Sequence, residues 1–187
     1  LAENSLEYHN EILKYLQNHP NAKLAFQPGT FQIKFGAEKL KDIYKRTEIF
    51  FCNLEEAQII LEKNTKDALE LSRGIYSLGP KIVCISDGPN GAYLYQNNGL
   101  NDELWHIPTY PDIAPPIDRT GAGDAFSSTI TCALALGKTP LEAFAWGPIN
   151  SMSVVQEIGA QKGLLVREKL EEYLKTAPGN YKARKIN

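Results

Sequence analysis

The sequence predicts an α/β fold, in which a mostly parallel β-sheet is covered by helices and carries an antiparallel hairpin at one edge. Three observations lead there. Short apolar runs, "AKLAFQP", "EIFFC" and "KIVCISD", alternate with stretches of helical periodicity, the rhythm that crossover helices impose on parallel strands. Further on, "GAYLYQ" and "ELWHIP" are joined by the turn-rich "NNGLND", which is too short for a crossover and suits a hairpin. A length of 187 residues with 43% hydrophobic and 22% charged is that of one globular domain with a sizeable core, so residues 1–187 are expected to form a single domain.

The elements follow in order. Leu6, Ile12, Leu13 and Leu16 fall near helical spacing up to about Asn18, with Ser5 as a cap and Pro20 beyond the end. "AKLAFQP" reads as a buried strand stopped by Pro28 and Gly29, and "GAEKLKDIYKRT" as a helix. "EIFFC" is a strand, "NLEEAQIILEK" and "DALELSRGIYSLG" are helices, and "KIVCISD" is a third strand before the hairpin. The proline-rich "YPDIAPPIDRT" is a connection. From Gly123 to Leu136 nearly every residue is small or apolar, which predicts a helix buried on most sides. Thr139, Pro140 and Glu142 form a capping signature that opens another long helix to about Glu157, ended by Gly159. "REKLEEYLK" is a final amphipathic helix, and the residues from Pro178 onward are expected to be mobile.

Charge and composition exclude several classes. A net charge of -2 and a pI near 6.0 leave no broad electrostatic footprint for nucleic acid, and no basic cluster suits an anionic membrane, so any bound anion must be held locally. Cys52, Cys84 and Cys132 match neither a disulfide framework nor a metal spacing and read as reduced, buried thiols. The start of the chain lacks signal-peptide regions, and the apolar run from Ile130 to Leu136 is too short to span a bilayer, so the expected location is the cytoplasm. His9, His19 and His106 have no partner at metal spacing and are expected at the surface or at strand edges. Trp105 and Trp146 read as core or pocket-wall residues.

The chemistry concentrates in "IDRTGAGDAFSS". Gly121 and Gly123 allow backbone conformations and a close approach that a side chain would block, and they leave several amide N–H groups pointing outward at a helix start. Such a terminus attracts phosphate, and its dipole favours the ionised carboxylate of Asp124 in the first turn. The same pattern also serves helix capping alone. Likewise, Asn53 followed three residues later by Glu56 is a helix capping box, and "SDGPNG" is a strand end followed by a turn.

"DRTGAGDAF" resembles the C-terminal signature of the PfkB (ribokinase-like) carbohydrate kinases, Asp-Thr-x-Gly-Ala-Gly-Asp-x-Phe. Asn53-Leu-Glu-Glu56 and Ser86-Asp-Gly-Pro-Asn-Gly91 resemble two further motifs of that family, in the expected order, and the likeness continues through "SVVQEIGAQ". The resemblance implies a ribokinase-like three-layer αβα sandwich, represented here by its C-terminal portion with the N-terminal strands and lid absent. It implies an ATP-dependent kinase that transfers the γ-phosphate to an alcohol of a sugar or nucleoside. Asp124 would be the general base, and the amides of Gly121, Ala122 and Gly123 the anion hole. Asn53 and Glu56 would lie near the ATP phosphates, with Glu56 influencing Mg²⁺ through water. Ser86, Asp87, Gly88 and Gly91 would contact the nucleotide, and Asn150 and Ser153 would approach the adenine pocket. Asp118 and the carbonyl of Thr120 would bind a monovalent cation, K⁺ in several members. Arg119 stands where the family usually has Thr, Ser or Val; it either touches phosphate or points to solvent.

Family members are longer, and their N-terminal portion supplies the lid and most sugar contacts. An incomplete sheet leaves an unpaired edge and exposed apolar surface. The expectation is therefore self-association, a separate N-terminal partner or a truncated gene product, possession of the motifs notwithstanding. The alternative to a working kinase is a nucleotide-binding fragment without turnover.

Overall fold

The strands form where apolar residues run without interruption. A computed structural model describes residues 6–97, 99 and 101–187, which fall into two compact units, one running up to Ile85 and including Tyr95–Leu104, the other comprising Ser86–Leu94 and Trp105–Asn187. The first unit contains α1 (Leu6–Asn18), β1 (Leu24–Phe26), α2 (Thr30–Phe35), α3 (Lys41–Arg46), β2 (Thr47–Asn53), α4 (Leu54–Leu61) and α5 (Ala68–Ser77). β3 (Ile82–Ser86) follows, its last residue, Ser86, already belonging to the second unit. In β2, Thr47 and Ile49 through Cys52 are all buried, the pattern of a strand covered on both faces, and Val83, Cys84 and Ile85 of β3 are fully buried. Phe26 meets Tyr44 and Phe50 edge-on, each at 5.8 Å between ring centres, while Tyr44 stacks on Phe50 at 5.3 Å. Burial pushes the Tyr44 hydroxyl well above the usual phenol range, and it does the same to the thiols of Cys52 and Cys84.

The second unit holds a 3₁₀ turn at Gly88–Asn90 and the helices α6 (Ala122–Ala135), α7 (Pro140–Val154) and α8 (Arg167–Lys175), followed by β6 (Arg184–Lys185). β4 (Ala92–Asn97) and β5 (Asp102–Ile107) are each divided between the units at Leu94 and Leu104. Pro140 occupies the first turn of α7, and the Thr139 hydroxyl accepts from the Glu142 N–H at 3.3 Å while the Glu142 carboxylate accepts from the Thr139 N–H at 2.8 Å. α6 and α7 pack closely because residue 147 is glycine: a Cβ there would lie 2.7 Å from a Phe126 ring carbon and 2.9 Å from Ile130 Cδ1.

The strands are hydrogen-bonded in the order β1-β2-β3-β4-β5-β6, an open mixed sheet. β1 and β2 are parallel, with Phe26 opposite Phe50; β5 and β6 are antiparallel, with Trp105 opposite Lys185 and His106 opposite Arg184. β4 and β5 are sheet neighbours joined by residues 98–101, so the two expected hairpin runs do lie side by side. Positions 98 and 100 of that turn, and the proposed Ser5 cap, lie outside the described residues.

Several expectations are corrected. The residues beyond Pro178 do not end as a free tail: Tyr181 is buried, its hydroxyl donates to the Ala145 carbonyl at 2.6 Å, and β6 then pairs with β5. α6 buries Ala125, Phe126, Ser127, Thr129, Ile130 and Ala133, but Asp124, Ser128, Cys132 and Leu136 form an exposed stripe at four-residue spacing. Cys132 is thus an exposed thiol, unlike the other two. His9 is buried against the edge of Phe26 rather than at the surface. α2 occupies "TFQIKF", before the helix expected over "GAEKLKDIYKRT", and the latter is helical only as α3.

Candidate active site

The Gly-rich loop is shaped by one glycine more than the other. Gly121 is the residue before α6 and has a left-handed backbone, φ +83°, and a Cβ on it would sit 2.5 Å from the Ala160 Cβ, so only glycine fits. Gly123 is exposed with open space at its Cβ position, and Asp124 follows it in the first turn of α6, also exposed. There its charge faces the positive end of the helix. The Asp124 carbonyl accepts from the Ser128 hydroxyl at 2.6 Å.

Upstream, Asp118 fastens the loop. One carboxylate oxygen accepts from the Thr120 N–H at 2.9 Å and the other from the Gly159 N–H at 3.0 Å. These backbone hydrogen bonds hold its carboxyl below the usual carboxylate range. The same stretch is anchored to the end of α7, since the Ile117 N–H donates to the Val155 carbonyl at 2.8 Å.

The loop borders a cavity of about 340 Å³ lying entirely within the second unit. Ala122 and Gly123 line it, together with Ser86 at the end of β3 and Gly88 and Gly91 of the following turn. Ser86, Gly88, Gly91, Ala122 and Gly123, proposed from two separate motifs, are therefore brought together in one place. Gly91, at φ +98°, is obligatory there, because a Cβ would lie 2.1 Å from the Ile107 carbonyl oxygen. Asp87 works inside the turn: its N–H donates to the Gly91 carbonyl at 2.8 Å and its carboxylate accepts from the Asn90 amide at 3.1 Å.

Asn150 and Ser153 are committed elsewhere. The buried Asn150 amide donates to the Thr129 hydroxyl at 2.7 Å and accepts from the Leu165 N–H at 3.0 Å, bracing α6 against α7. Ser153 donates to the Gly163 carbonyl at 2.8 Å. Their neighbours Ser151 and Met152 line the cavity instead, and Ser151 donates to the Ala122 carbonyl at 2.8 Å. Phe126, Pro148 and Val155 add apolar wall; Thr109, Asp112 and Arg119 add polar wall. The sequence motifs single out none of these except Arg119, whose role they leave open. Pro148 beside Gly147 in mid-helix was the available signal, since that pair breaks the regular helix surface.

Asn53 and Glu56 belong to the first unit. The Asn53 side-chain oxygen accepts from the Glu56 N–H at 2.8 Å and the Glu56 carboxylate accepts from the Asn53 N–H at 2.9 Å, a complete capping box at the start of α4. Asn53 is the last residue of β2, and carboxyl ends of strands are where open α/β sheets place their ligands. Among the described residues no three His, Cys, Asp or Glu side chains gather as a metal cluster, and no helix is long and apolar enough to cross a membrane.

An open mixed α/β sheet with this Gly-rich entry to α6 defines a ribokinase-like fold. The chain belongs to the pfkB family of carbohydrate kinases, whose family model matches residues 4–167. It is 23% identical to an uncharacterized sugar kinase of Archaeoglobus fulgidus over 164 residues, covering 88% of this chain and 61% of that protein. It is 33% identical to a cytidine kinase of Thermococcus kodakarensis over 120 residues, covering 64% of this chain and 41% of the relative. A ribokinase of Arabidopsis thaliana, solved with ribose and ATP, superimposes with a TM-score of 0.76 at 20% identity, over 91% of this chain and 53% of its own. The chain thus spans about half the length of the relatives it matches.

Proposed function

We propose that this chain carries the nucleotide-binding and phosphoryl-transfer portion of an ATP-dependent kinase that acts on an alcohol of a sugar or nucleoside. The observation that supports it best is the start of α6, where Ala122 and Gly123 line a cavity shared with Ser86, Gly88 and Gly91, and Asp124 stands next in the first turn. Phosphoryl transfer needs mainly alignment and fixed positive dipoles around the transferring group. In this reading the amides of Gly121, Ala122 and Gly123 receive the γ-phosphoryl oxygens, the Ala122 N–H exchanging its long 3.3 Å hydrogen bond to the Arg119 carbonyl for one to phosphate. Asp124 takes the proton of the substrate hydroxyl as its oxygen bonds to phosphorus and the bond to the ADP oxygen breaks. Apolar walls from Phe126, Pro148 and Met152 suit a base.

A hard cation with few protein ligands, Mg²⁺, neutralises phosphate charge when bound, and Glu56, assisted by Asn53, is its proposed water-mediated contact. Asp118 and the Thr120 carbonyl are the proposed monovalent-cation ligands, an assignment sunk by indifference of the activity to K⁺ and Na⁺. Work in the cytoplasm fits this chemistry, because ATP is abundant there.

The test mixes the chain with ATP, Mg²⁺ and a panel of sugars and nucleosides. Substrate-dependent ADP release supports the kinase. Nucleotide binding without release supports the second reading, a binding portion that needs a further segment or a second copy to present the hydroxyl. The exposure of Asp124 favours that reading. If ATP does not bind, both readings fail.

A further inference from the structure

We propose that Arg119 is a phosphate-binding side chain of this chain's nucleotide cavity, supplying a fixed positive charge beside the amides of the Gly-rich loop. The inference rests on the nucleotide reading of the cavity and assigns a residue for which the Gly-rich pattern itself makes no provision. Three observations carry it.

First, position. Arg119 is one of the residues lining the cavity, beside Ala122 and Gly123 of the helix start. Second, its backbone is held while its head is uncommitted. Asp118 before it is tied to Thr120 and Gly159, and its own carbonyl accepts from the Ala122 N–H at 3.3 Å. The guanidinium, by contrast, has no hydrogen-bond or ion-pair partner among the described residues. Three of the other four arginines are occupied, Arg46 donating to the Ala22 carbonyl at 2.6 Å, Arg73 to Asp102 at 2.5 Å and Arg167 to Glu171 at 2.9 Å, while Arg184 lies on β6, away from the cavity lining.

Third, charge. The acidic residue of the lining is Asp112, which by itself would repel a polyphosphate. Arg119 cancels that charge and adds a planar fork suited to two phosphate oxygens at once. Because Arg119 is exposed, its contribution is screened by salt.

Calorimetric titrations of the chain, Arg119→Ala and Arg119→Lys with adenosine, AMP and ADP at low and high salt provide the test. The native chain should bind more tightly with each added phosphate. Arg119→Ala should weaken ADP about tenfold, leave adenosine within about twofold, and lose most of its deficit at high salt. Arg119→Lys should recover part of the low-salt loss, as a point charge without the fork. The unfolding midpoint of both variants should match the native chain, since the side chain makes no hydrogen bond among the described residues. Equal weakening of adenosine and ADP, or no weakening of either, overturns the role of Arg119 and leaves the nucleotide site standing. Failure of the native chain to bind any of the three overturns the nucleotide reading and this assignment with it.

Discussion

Gly121 and Ala160 touch backbone to side chain: a Cβ on Gly121 would fall 2.5 Å from the Ala160 Cβ and 2.7 Å from its Cα. The Gly-rich loop and the turn around residue 160 therefore hold each other in place. Gly121→Ala should cost about 2–5 kcal/mol, combining a left-handed alanine with overpacking. Adding Ala160→Gly should return part of the packing loss and none of the backbone loss. Chemical denaturation of the two single variants and the double variant measures that coupling; strict additivity would contradict the contact.

Asp118 ties pH to the same loop. Its carboxyl is held low by hydrogen bonds from the Thr120 and Gly159 N–H groups. A depressed folded-state value means that its stabilising contribution is complete above the unfolded-state pKa, about 3.9, and is lost as the pH falls through the lower folded-state value. Asp118→Asn should lower the denaturation midpoint at neutral pH and flatten the acid limb of midpoint against pH. An unchanged acid limb would remove Asp118 from the account.

For Asp124 the expected signature is a split between turnover and binding. Asp124→Asn should lower kcat about 10²- to 10⁴-fold, the range for a positioned base, with ADP affinity within about twofold of the native chain. Loss of ADP binding with kcat preserved would assign the residue to the phosphate site instead. The measurement requires the substrate that gives ADP release.

The capping box at α4 separates two roles of one motif. Asn53→Ala removes the acceptor for the Glu56 N–H and should cost about 1 kcal/mol of stability. Glu56→Gln keeps an oxygen for the Asn53 N–H, so stability should change by less than about 0.5 kcal/mol while the Mg²⁺ concentration for half-maximal activity rises. If Glu56→Gln leaves the Mg²⁺ requirement unmoved, the motif is a cap alone.

Ser72 offers a check on the core of the first unit. Its hydroxyl oxygen is fully buried with no hydrogen-bond partner among the described residues. Ser72→Ala removes an unmet polar group and should raise stability by about 1 kcal/mol in thermal or urea denaturation. A loss of that size would reveal a partner for the hydroxyl.

What the sequence disclosed and what it withheld follow from the range over which each signal acts. β2 and β3 were legible because burial on both faces leaves continuous apolar runs. The starts of α4, α6 and α7 were legible because capping residues and glycines act within a turn of where they stand. α2 escaped because six residues hold too little periodicity, and "TFQIKF" alternates as readily as it winds. The burial of His9 and the exposure of Cys132 depend on which neighbours arrive from distant elements, which no local pattern records. So does the cavity. Ser86 and Gly123 were named from two motifs, but Pro148, Met152 and Phe126 join them only once α6 and α7 close over Gly147.

The exposed stripe of α6 has a practical use. Cys132 stands eight residues after Asp124 on that face, about 12 Å along the axis, and it is the exposed thiol of the three. Cys52 and Cys84 are buried with their thiols held in the protonated form, so they resist alkylation. A maleimide fluorophore should therefore attach at one place in the native chain without any mutation. It would sit two turns from the Asp124 carboxylate, an optical reporter mounted on the helix to which the chemistry is assigned by proposal.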